Sequence, residues 1–410
     1  MKQLHRRVVV TGLGILSPIG NTLDEAWYSC INGTSGITNI DIDLDNNPIK
    51  VGGRLKNFNP EDFLDSKEIR RIDPFIQYGI IAANKSIEHS GILNSKTDLS
   101  RIGVNFGAGI GGIDTIEKNK SLLEKRGYKK VSPFFVPGSI VNMISGLVSI
   151  KHGFMGPNTS VVTACSTGNH CIGTAARSVA YGEADVMIAG GAEMASTPLS
   201  IAGFISARAL SMNSDPQTAS RPWHKDRDGF VLSDGAGSLV LEDFDHAKAR
   251  GATIHAELIG FGASSDAHHM TAPPEDGRGA VLSMINAIND AEINLSEVDY
   301  INAHGTSTPL GDIAETIALK KVFGESVPQI SSTKSMTGHT LGAAGAIESI
   351  FCIKAINDGI IPPTINLDNP DSQCDLNYTP LVSTEKKVNV AMNNSFGFGG
   401  TNSTLVFKKI

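Results

Sequence analysis

Short apolar segments alternate with longer helical patterns along almost the whole chain, and this alternation limits the fold more than any other feature. Segments that read as strands include RVVVTG, RIGVNFG, SVVTA, ADVMIAGG, GSLVLEDF, TIHAELIGFG and DYINAHG, and the first of them predicts a strand at Arg7 to Thr11. Strands and helices in alternation predict an α/β protein whose helices cover the sheet. Because 410 residues exceed one ordinary core, we predict two domains or two α/β halves.

Two segments of the chain resemble each other. SVVTACSTGNHCIGTAARSVA and DYINAHGTSTPLGDIAETIAL each run from a strand to an alanine, a reactive residue, small and hydroxyl residues, and a helix. The similarity predicts duplicated units that place Cys165 and His304 at matching strand ends, with a chance similarity as the alternative. Between them, residues 210–237 are rich in Pro, Asp, Ser and Gly, which predicts a surface excursion.

Charge and cysteine usage exclude several classes of protein. The formal net charge of −7 argues against bulk attraction to nucleic acid or anionic lipid, and no apolar run approaches the roughly 18 to 20 residues of a membrane span. The 5 scattered cysteines are typical of a reducing compartment. MKQLHRRVVVTGLGIL imitates a signal peptide but contains two glycines and no cleavage site. We expect a cytoplasmic protein without structural disulfides.

The segment VVTACSTGNHC contains two cysteines six residues apart. A strand that stops at Ala164 and a helix that begins near Ser166 would place Cys165 at a helix N-terminus, where free N–H groups and the helix dipole lower the pKa of a thiol. A buried cysteine that acts as a small hydrophobic residue is the alternative. Cys171 falls inside the helix and turned away from Cys165, so we interpret it as a packing residue. The spacing also differs from that of metal-binding cysteine pairs.

Two later segments place polar side chains among small residues. NAHGTSTPLGD puts His304 just beyond a strand, with the hydroxyls of Thr306 and Thr308 close by, and SSTKSMTGHTLGAAGAIESI puts Lys334 and His339 in a loop ahead of a helix. Taken singly, each histidine reads as a structural residue. A cysteine combined with histidines elsewhere in the chain favours covalent catalysis by a thiolate.

Three glycine-rich segments need separate interpretation. GLGILS lacks the third glycine of a dinucleotide fingerprint and Pro18 interrupts the expected helix, so NAD binding is disfavoured. FGAGIGG predicts a tight strand-to-helix turn that brings Ile110 toward a pocket. In NNSFGFGGTNSTLVF, glycines flank Phe398 in a pattern typical of a loop that flexes or exposes its amides, or of an ordinary turn.

In combination, these motifs resemble the β-ketoacyl-[acyl-carrier-protein] synthases from one end of the chain to the other. The resemblance rests on TACSTG, AHGTSTPLGD, STKSMTGHTLGAAGAIE and NNSFGFGGTN, while FGAGIGG and DPFIQYGI are most similar to the type II enzymes that elongate fatty acids. It implies the thiolase fold, with two similar halves at residues 1–250 and 251–410 in a five-layered αβαβα body, usually as a homodimer.

The resemblance also implies catalytic roles for individual residues. Cys165 would take the acyl chain from acyl carrier protein as a thioester, and the amides of Cys165 and Phe398 would form the oxyanion hole. Neutral His304 and His339 would donate hydrogen bonds to the malonyl thioester during decarboxylation. Lys334 and Glu348 would support them.

Other positions follow from the resemblance as substrate or partner contacts. Thr306 and Thr308 would hold the phosphopantetheine arm, Ile110 and Phe204 would line the acyl pocket, Phe398 would gate it, and Asp266 would belong to a second gating loop. A basic surface would bind the acidic carrier protein through Lys67, Arg70, Arg71, Lys129, Lys130 and Arg208. No bound cofactor is expected, because phosphopantetheine arrives on the carrier protein.

Three other readings of the sequence stay open, and one of them is a scaffold that only binds the carrier protein and would keep its function in Cys165→Ala. A type I synthase or a polyketide ketosynthase would use the same residues. A protein of a different class, a Cys/His metal or redox protein, would bind zinc or form a reversible bridge between Cys165 and Cys171.

Overall fold

The computed structural model describes residues 5–410. Among them are fourteen strands, which in chain order are β1 (Val8–Leu16), β2 (Thr38–Asn39), β3 (Val51–Gly52), β4 (Ile102–Gly107), β5 (Asn158–Thr159), β6 (Val186–Glu193), β7 (Gly235–Asp243), β8 (Ala256–Ser265), β9 (Tyr300–Asn302), β10 (Gln329–Ser331), β11 (Ile360–Ile361), β12 (Thr384–Glu385), β13 (Val390–Gly397) and β14 (Thr401–Lys408).

Thirteen α-helices lie in the same described range. They are α1 (Leu23–Ile31), α2 (Ser66–Ile69), α3 (Pro74–Ser90), α4 (Ile113–Arg126), α5 (Phe135–Ser139), α6 (Met143–His152), α7 (Thr167–Ala180), α8 (Pro198–Ser206), α9 (Phe244–Ala249), α10 (Arg278–Ala291), α11 (Pro309–Phe323), α12 (Lys334–Thr337) and α13 (Ala344–Asp358). The longer helices begin and end with ordinary signals: Pro309 is the first residue of α11, and Gly359 ends α13 in the left-handed conformation.

Ten strands form one continuous sheet in the order β10-β9-β13-β14-β8-β1-β7-β6-β4-β5. The order is a palindrome of two five-stranded halves, because β1, β4, β5, β6 and β7 take the same relative places as β8, β9, β10, β13 and β14. The halves meet where β1 pairs with β8, through Val9 with Glu257 and Val10 with Ala256. The duplication predicted from the sequence is confirmed.

Buried side chains divide the molecule into layers. The central core packs α7 and α13 between the strands of both halves, with Ile172 and Ile347 among its members. A second core packs α3 and α6 on the outer face of the first half, and a third packs α10 and α11 on the outer face of the second half. Helix, sheet, helix, sheet and helix layers therefore follow one another, which is the five-layered arrangement expected.

The structure corrects which positions of the two halves correspond. Cys165 follows β5, the third strand of its half of the large sheet, whereas His304 follows β9, the second strand of the other half. The position that matches Cys165 in the second half is the turn around Gly342, which follows β10 and leads into α13. The sequence similarity between the Cys165 and His304 segments therefore did not identify equivalent sites.

Three local predictions were also wrong. The segment SVVTA is not a strand, because β5 ends at Thr159 and the chain then runs irregularly to a 3-10 turn at Ala164–Ser166. Residues 210–237 are not a surface excursion, since Trp223 and Phe230 are buried there and β7 begins at Gly235. Lys334 does not lie in a loop but begins α12.

Within residues 5–410, no helix combines the length and apolar character required to cross a membrane.

Candidate active site

Cys165 lies at the start of the central helix α7. Ala164 adopts a left-handed conformation with φ of 49°, and the 3-10 turn at Ala164–Ser166 leads directly into the helix. The hydroxyl of Ser166 donates to the carbonyl oxygens of Ser395 at 2.9 Å and Thr401 at 2.8 Å, which fixes this turn against the second half. The predicted placement of Cys165 at a helix N-terminus is confirmed.

Two histidines from the second half face this cysteine. The Nε2 atom of His339 is 3.0 Å from the Sγ atom of Cys165, and the ring centroids of His304 and His339 are 5.4 Å apart. Ligating atoms of the cysteine and both imidazoles all lie within 4.8 Å of one another. The fold thus brings together three side chains that are far apart in the chain.

Neighbouring groups hold each histidine in place. The carboxylate of Glu315, on α11, accepts the backbone N–H groups of His304 at 2.9 Å and Gly305 at 2.7 Å. The backbone N–H of His339 donates to the carbonyl oxygen of Val231 at 2.8 Å, and the ring of Phe230 packs edge-on against the imidazole. Both imidazoles are therefore positioned through backbone contacts from other elements.

Burial sets the charge state of the two imidazoles. It lowers the pKa of His304 and of His339 well below the usual value, and the positive charge of Lys334 lowers both pKa values further. Both rings are neutral at neutral pH. A neutral imidazole keeps one ring N–H group, and this group can donate a hydrogen bond to a developing oxyanion.

The charge state of Cys165 differs from the expectation. Burial raises the pKa of the thiol to about 12, and the negative charge of Glu193 also raises it, while Lys334 and the backbone N–H groups of Phe398 and Cys165 itself lower it. The expectation of a depressed pKa was based only on the helix end and omitted the removal of water from the site. Cys165 rests as a thiol beside His339, and its proton must leave as the sulfur reacts.

Lys334 and Glu348 form a buried ion pair behind the imidazoles. Their side chains are only 1% and 2% exposed, and Nζ of Lys334 donates to Oε1 of Glu348. Neither residue lines the cavity described below. The pair consequently acts on the site through its electric field and through packing rather than by touching a bound molecule.

A cavity of about 350 Å³ opens onto the three reactive side chains. Its lining is largely apolar toward Phe204, whose ring packs edge-on against Phe230 with centroids 5.3 Å apart, and polar at the mouth. Every predicted substrate contact lines this cavity: Ile110, Phe204, Asp266, Thr306, Thr308 and Phe398. The Oγ1 atoms of Thr306 and Thr308 are 2.9 Å apart, so the two hydroxyls lie side by side on the wall.

Two loops are connected at the mouth of the cavity. Gly399 and Gly400, which follow Phe398, have φ angles of 86° and 68°. The backbone N–H of Asp266 donates to the carbonyl oxygen of Gly400 at 2.8 Å, and the N–H of Gly399 donates to the carbonyl oxygen of Met270 at 2.7 Å. The Asp266 segment therefore faces the Phe398 loop, as the sequence interpretation expected.

The predicted basic contacts lie outside the cavity and are all exposed. They occupy α2 and the residues directly after it, the 3-10 turn after α4, and the turn after α8: Lys67, Arg70, Arg71, Lys129, Lys130 and Arg208. The guanidinium of Arg71 lies 4.8 Å from the centroid of the Phe134 ring.

Sequence reasoning missed several residues that shape the site. Glu315 and Phe230 support the histidines, Leu341 lines the cavity, and Glu193 is a buried carboxylate behind Ile110. A charged residue within a helix or at a strand end is usually exposed, so nothing in the local pattern separates a buried carboxylate from a solvated one. Only the tertiary contacts reveal them.

The cysteine and two histidines form a set that could also ligate a metal ion. Their donor atoms suit zinc, and sequence spacing alone had not suggested that they would meet. The positive charge of Lys334 acts on both imidazoles, however, and repels a cation at this position.

Known proteins resemble this chain over nearly its whole length. Residues 5–247 match the family described as "Beta-ketoacyl synthase, N-terminal domain", and residues 255–368 match "Beta-ketoacyl synthase, C-terminal domain". The 3-oxoacyl-[acyl-carrier-protein] synthase 2 of Vibrio harveyi is 53% identical, with 99% of each chain covered. The enzymes of the same name from Coxiella burnetii and Staphylococcus aureus strain COL are 52% and 48% identical, again with 99% of each chain covered.

Solved structures agree with these relatives. A β-ketoacyl synthase from Burkholderia phymatum superposes with a TM-score of 0.91 at 33% identity, covering 99% of this chain and 100% of the other. A ketosynthase of a type II polyketide system, solved with its acyl carrier protein, superposes with a TM-score of 0.92 at 34% identity and the same coverage. The fold, the site and these matches together establish that the chain belongs to the β-ketoacyl synthase family.

Proposed function

We propose that Cys165 carries the growing acyl chain in the condensing step of fatty acid elongation. The overall reaction is the decarboxylative Claisen condensation of acyl-[acyl-carrier-protein] with malonyl-[acyl-carrier-protein], which gives 3-oxoacyl-[acyl-carrier-protein], CO₂ and the free carrier protein. The observation that carries the assignment of Cys165 is its position 3.0 Å from His339 at the base of the cavity.

The first half-reaction transfers the acyl group to the enzyme. The sulfur of Cys165 attacks the acyl thioester carbonyl, the carbon–sulfur bond to the phosphopantetheine arm breaks, and the thiol proton passes to the departing sulfur. The backbone N–H groups of Cys165 and Phe398 stabilise the oxyanion formed on the way. Because the resting thiol has a raised pKa, proton transfer accompanies the attack.

The second half-reaction forms the new carbon–carbon bond. His304 and His339 donate hydrogen bonds to the thioester oxygen of malonyl carrier protein while its carboxylate leaves as CO₂ and an enolate forms. The enolate carbon attacks the acyl-Cys165 carbonyl, and the cysteine sulfur leaves and regains a proton. Each donor is expected to contribute about 3 to 4 kcal/mol to lowering the barrier.

Other groups bind the substrate or tune the site. Thr306 and Thr308 hold the phosphopantetheine arm, the loop at Phe398 and the segment at Asp266 gate the mouth, and Ile110 and Phe204 contact the acyl chain. Behind them, the ion pair between Lys334 and Glu348 supplies positive charge close to the imidazoles.

The substrates arrive on acyl carrier protein, and the enzyme needs no bound cofactor. The exposed basic residues named above provide a surface for this acidic partner. We further propose a cytoplasmic homodimer in which residues 1–250 of each copy supply the nucleophile and residues 251–410 supply the histidines.

Mass spectrometry of the protein after incubation with acyl carrier protein substrates tests the proposal. An acyl adduct is expected on the peptide that contains Cys165, followed by 3-oxoacyl product once malonyl carrier protein is added. Cys171→Ala is the matched control, because Cys171 is a buried cysteine on the same helix and its loss leaves the adduct in place. Absence of both adduct and product contradicts the proposal.

The alternatives predict different outcomes. A metal or redox protein would contain stoichiometric zinc, or a reversible Cys165 to Cys171 bridge, whose removal abolishes activity. A polyketide ketosynthase would extend the same acyl chain repeatedly without reduction of the 3-oxo groups. Product analysis over several rounds separates it from an elongating synthase, which the 53% identical relative favours.

A further inference from the structure

Glu193 is a buried carboxylate that the reaction described above does not use. It ends β6 and has no exposed surface. Its Oε2 atom accepts the backbone N–H groups of Gly109 at 2.6 Å and Gly342 at 3.0 Å, and its Oε1 atom accepts those of Ile110 at 3.1 Å and Gly111 at 3.2 Å. Four backbone donors therefore converge on one side chain.

The four donors belong to two separate segments of the active site. Gly109 to Gly111 follow β4 and carry Ile110, whose side chain lines the cavity. Gly342 follows Leu341, which also lines the cavity, and stands three residues after His339. Glu193 thus joins one wall of the acyl cavity to the segment that carries a reactive imidazole.

The two segments are packed backbone against backbone at this point. A Cβ atom on Gly342 would lie 2.3 Å from the backbone nitrogen of Gly109 and 2.9 Å from Oε2 of Glu193. A Cβ atom on Gly109 would lie 2.7 Å from the same carboxylate oxygen. Neither glycine has room for a side chain, and the carboxylate of Glu193 accepts a hydrogen bond from each of the two segments at this point.

Burial raises the pKa of Glu193 to about 7, because removal of the carboxylate from water is not offset by an opposite charge, while the four backbone N–H groups lower this pKa. The N–H groups of Gly109 to Gly111 have no strand partner to bond with instead, since β4 ends at Gly107. An apolar side chain at position 193 would leave these donors unsatisfied. The arrangement is explained if the backbone of Ile110 must be held at a fixed distance from Cys165 and His339, which lie at the base of the cavity.

We propose that Glu193 is a positioning residue that fixes the backbone of Ile110 and thereby sets the length of acyl chain the cavity accepts. This inference rests on the proposed function, in which Ile110 contacts the acyl chain. With the backbone held, only the side chain of Ile110 can move aside for a long acyl group. Release of the backbone lets the whole wall move and reduces the discrimination between short and long chains.

Steady-state condensation with octanoyl and palmitoyl carrier proteins tests this proposal. In Glu193→Gln the side-chain amide nitrogen cannot accept a hydrogen bond, so two of the four contacts are lost with little change in volume. We expect kcat/KM for palmitoyl relative to octanoyl substrate to rise about tenfold, within the range of coupling between residues in contact. The ratio compares two acyl chains on the same variant, so an equal loss of activity with both substrates through the Gly342 segment near His339 does not change it.

A double-mutant cycle shows whether Glu193 acts through Ile110. Ile110→Ala is expected to raise the same ratio, and adding Glu193→Gln to it is expected to change the ratio by less than about twofold. Asp73→Asn is the matched control, because Asp73 is a buried carboxylate that accepts the backbone N–H groups of Phe75 and Thr115 away from the cavity. It is expected to lower stability and leave the ratio unchanged.

The outcomes separate this inference from the proposed function. If Ile110→Ala shifts the ratio and Glu193→Gln does not, the role of Glu193 is wrong while the acyl cavity stands. If Ile110→Ala leaves the ratio as in wild type, the inference is overturned together with the assignment of Ile110, although condensation at Cys165 is untouched.

Hydrogen exchange on the wild-type enzyme provides a test that does not depend on any variant folding. The amides of Gly109 to Gly111 lie outside a strand, and their protection is expected to approach that of the neighbouring strand β4 because Glu193 accepts from all three. Exchange as fast as that of an unstructured peptide overturns the proposal.

Discussion

The two halves of the molecule share a strand order but place different chemistry on it. In the first half the turn after the second strand, β4, carries glycines and Ile110, and the 3-10 turn that leads into α7 after the third strand, β5, carries Cys165. In the second half the turn after the second strand, β9, carries His304, and the corresponding helix start carries Gly342. Each half therefore supplies a reactive group at the position where the other half has only small residues or an apolar side chain.

The same kind of hydrogen-bonded contact occurs in both halves. A buried carboxylate accepts the backbone N–H groups of the turn after the second strand, Glu193 in the first half and Glu315 in the second. Duplication thus provided two equivalent sets of backbone positions, and the active site uses one position from each. The nucleophile and the hydrogen-bond donors are consequently separable by mutation.

The largest expected effect separates the nucleophile from the rest of the site. Cys165→Gln is expected to lower condensation by at least about a thousandfold, because no other group can form the thioester. Malonyl carrier protein decarboxylation is expected to persist, since the histidines of the second half serve that step. Parallel assays of CO₂ release and 3-oxoacyl product measure both, and loss of decarboxylation together with condensation would contradict the separation.

The reciprocal change affects the donors of the second half. His304→Ala is expected to lower decarboxylation by about a hundredfold to a thousandfold, because one hydrogen bond to the developing enolate is lost. Acylation of Cys165 by acyl carrier protein is expected to continue, as seen by mass spectrometry. Full decarboxylation activity in this variant would refute the role assigned to His304.

A smaller effect tests how tightly the turn at Gly342 is packed, at the position that corresponds to Cys165 in the other half. Gly342→Ala is expected to lower the free energy of unfolding by about 1 to 3 kcal/mol, because the added methyl group overlaps Gly109. Gly203→Ala, on α8, is the control, since nothing lies within 4 Å of a Cβ atom there. Denaturant unfolding of both variants measures the difference, and equal stability of the two would show that the turn can move.

The smallest expected effect concerns the pH dependence of stability. It compares His246, which lies just before the connection between the halves, with the two histidines of the site. The hydrogen bond that His246, on α9, donates to the carboxylate of Glu242 raises the pKa of His246, whereas burial lowers the pKa of His304 and His339. Protonated His246 stabilises the folded protein fully below about pH 6.5, and this stabilisation is lost as the pH rises through the raised pKa. Because His246 is partly exposed, its contribution is expected to be less than about 1 kcal/mol.

Unfolding of wild type and His246→Asn across this pH range measures that contribution. The difference in stability between the two proteins is expected to be largest at low pH and to shrink as the pH increases. A difference that grows with pH would reverse the assigned direction. Condensation, by contrast, is expected not to fall through protonation of His304 or His339 as the pH decreases to about 6.5, since their pKa values lie well below this.

Features that depend on neighbouring residues in the chain could be predicted from the sequence, whereas features that depend on tertiary contacts could not. Strands such as β6 were predicted correctly, because a continuous apolar run is a local signal. The segment SVVTA was predicted wrongly, since its β-branched residues favour a strand although the neighbouring β4 pairs only with Asn158 and Thr159 there. Tertiary pairing decided the outcome.

For the site, the motifs predicted the residues but not their environment. Cys165, His304 and His339 meet because helices from both halves pack between the sheets, which no local spacing encodes. The raised pKa of Cys165 and the buried carboxylates Glu193 and Glu315 depend on which groups exclude water from the cavity. These properties could be read only after the chain was folded.

The raised pKa of Cys165 has a consequence for its reactivity toward oxidants and alkylating reagents. Oxidation by peroxides and alkylation by soluble reagents proceed through the thiolate, and a thiol with a pKa of about 12 offers little of it at neutral pH. Nucleophilicity therefore develops mainly when a bound substrate can receive the proton. We therefore expect oxidation and alkylation of Cys165 to be slow at neutral pH and to become faster as the pH rises.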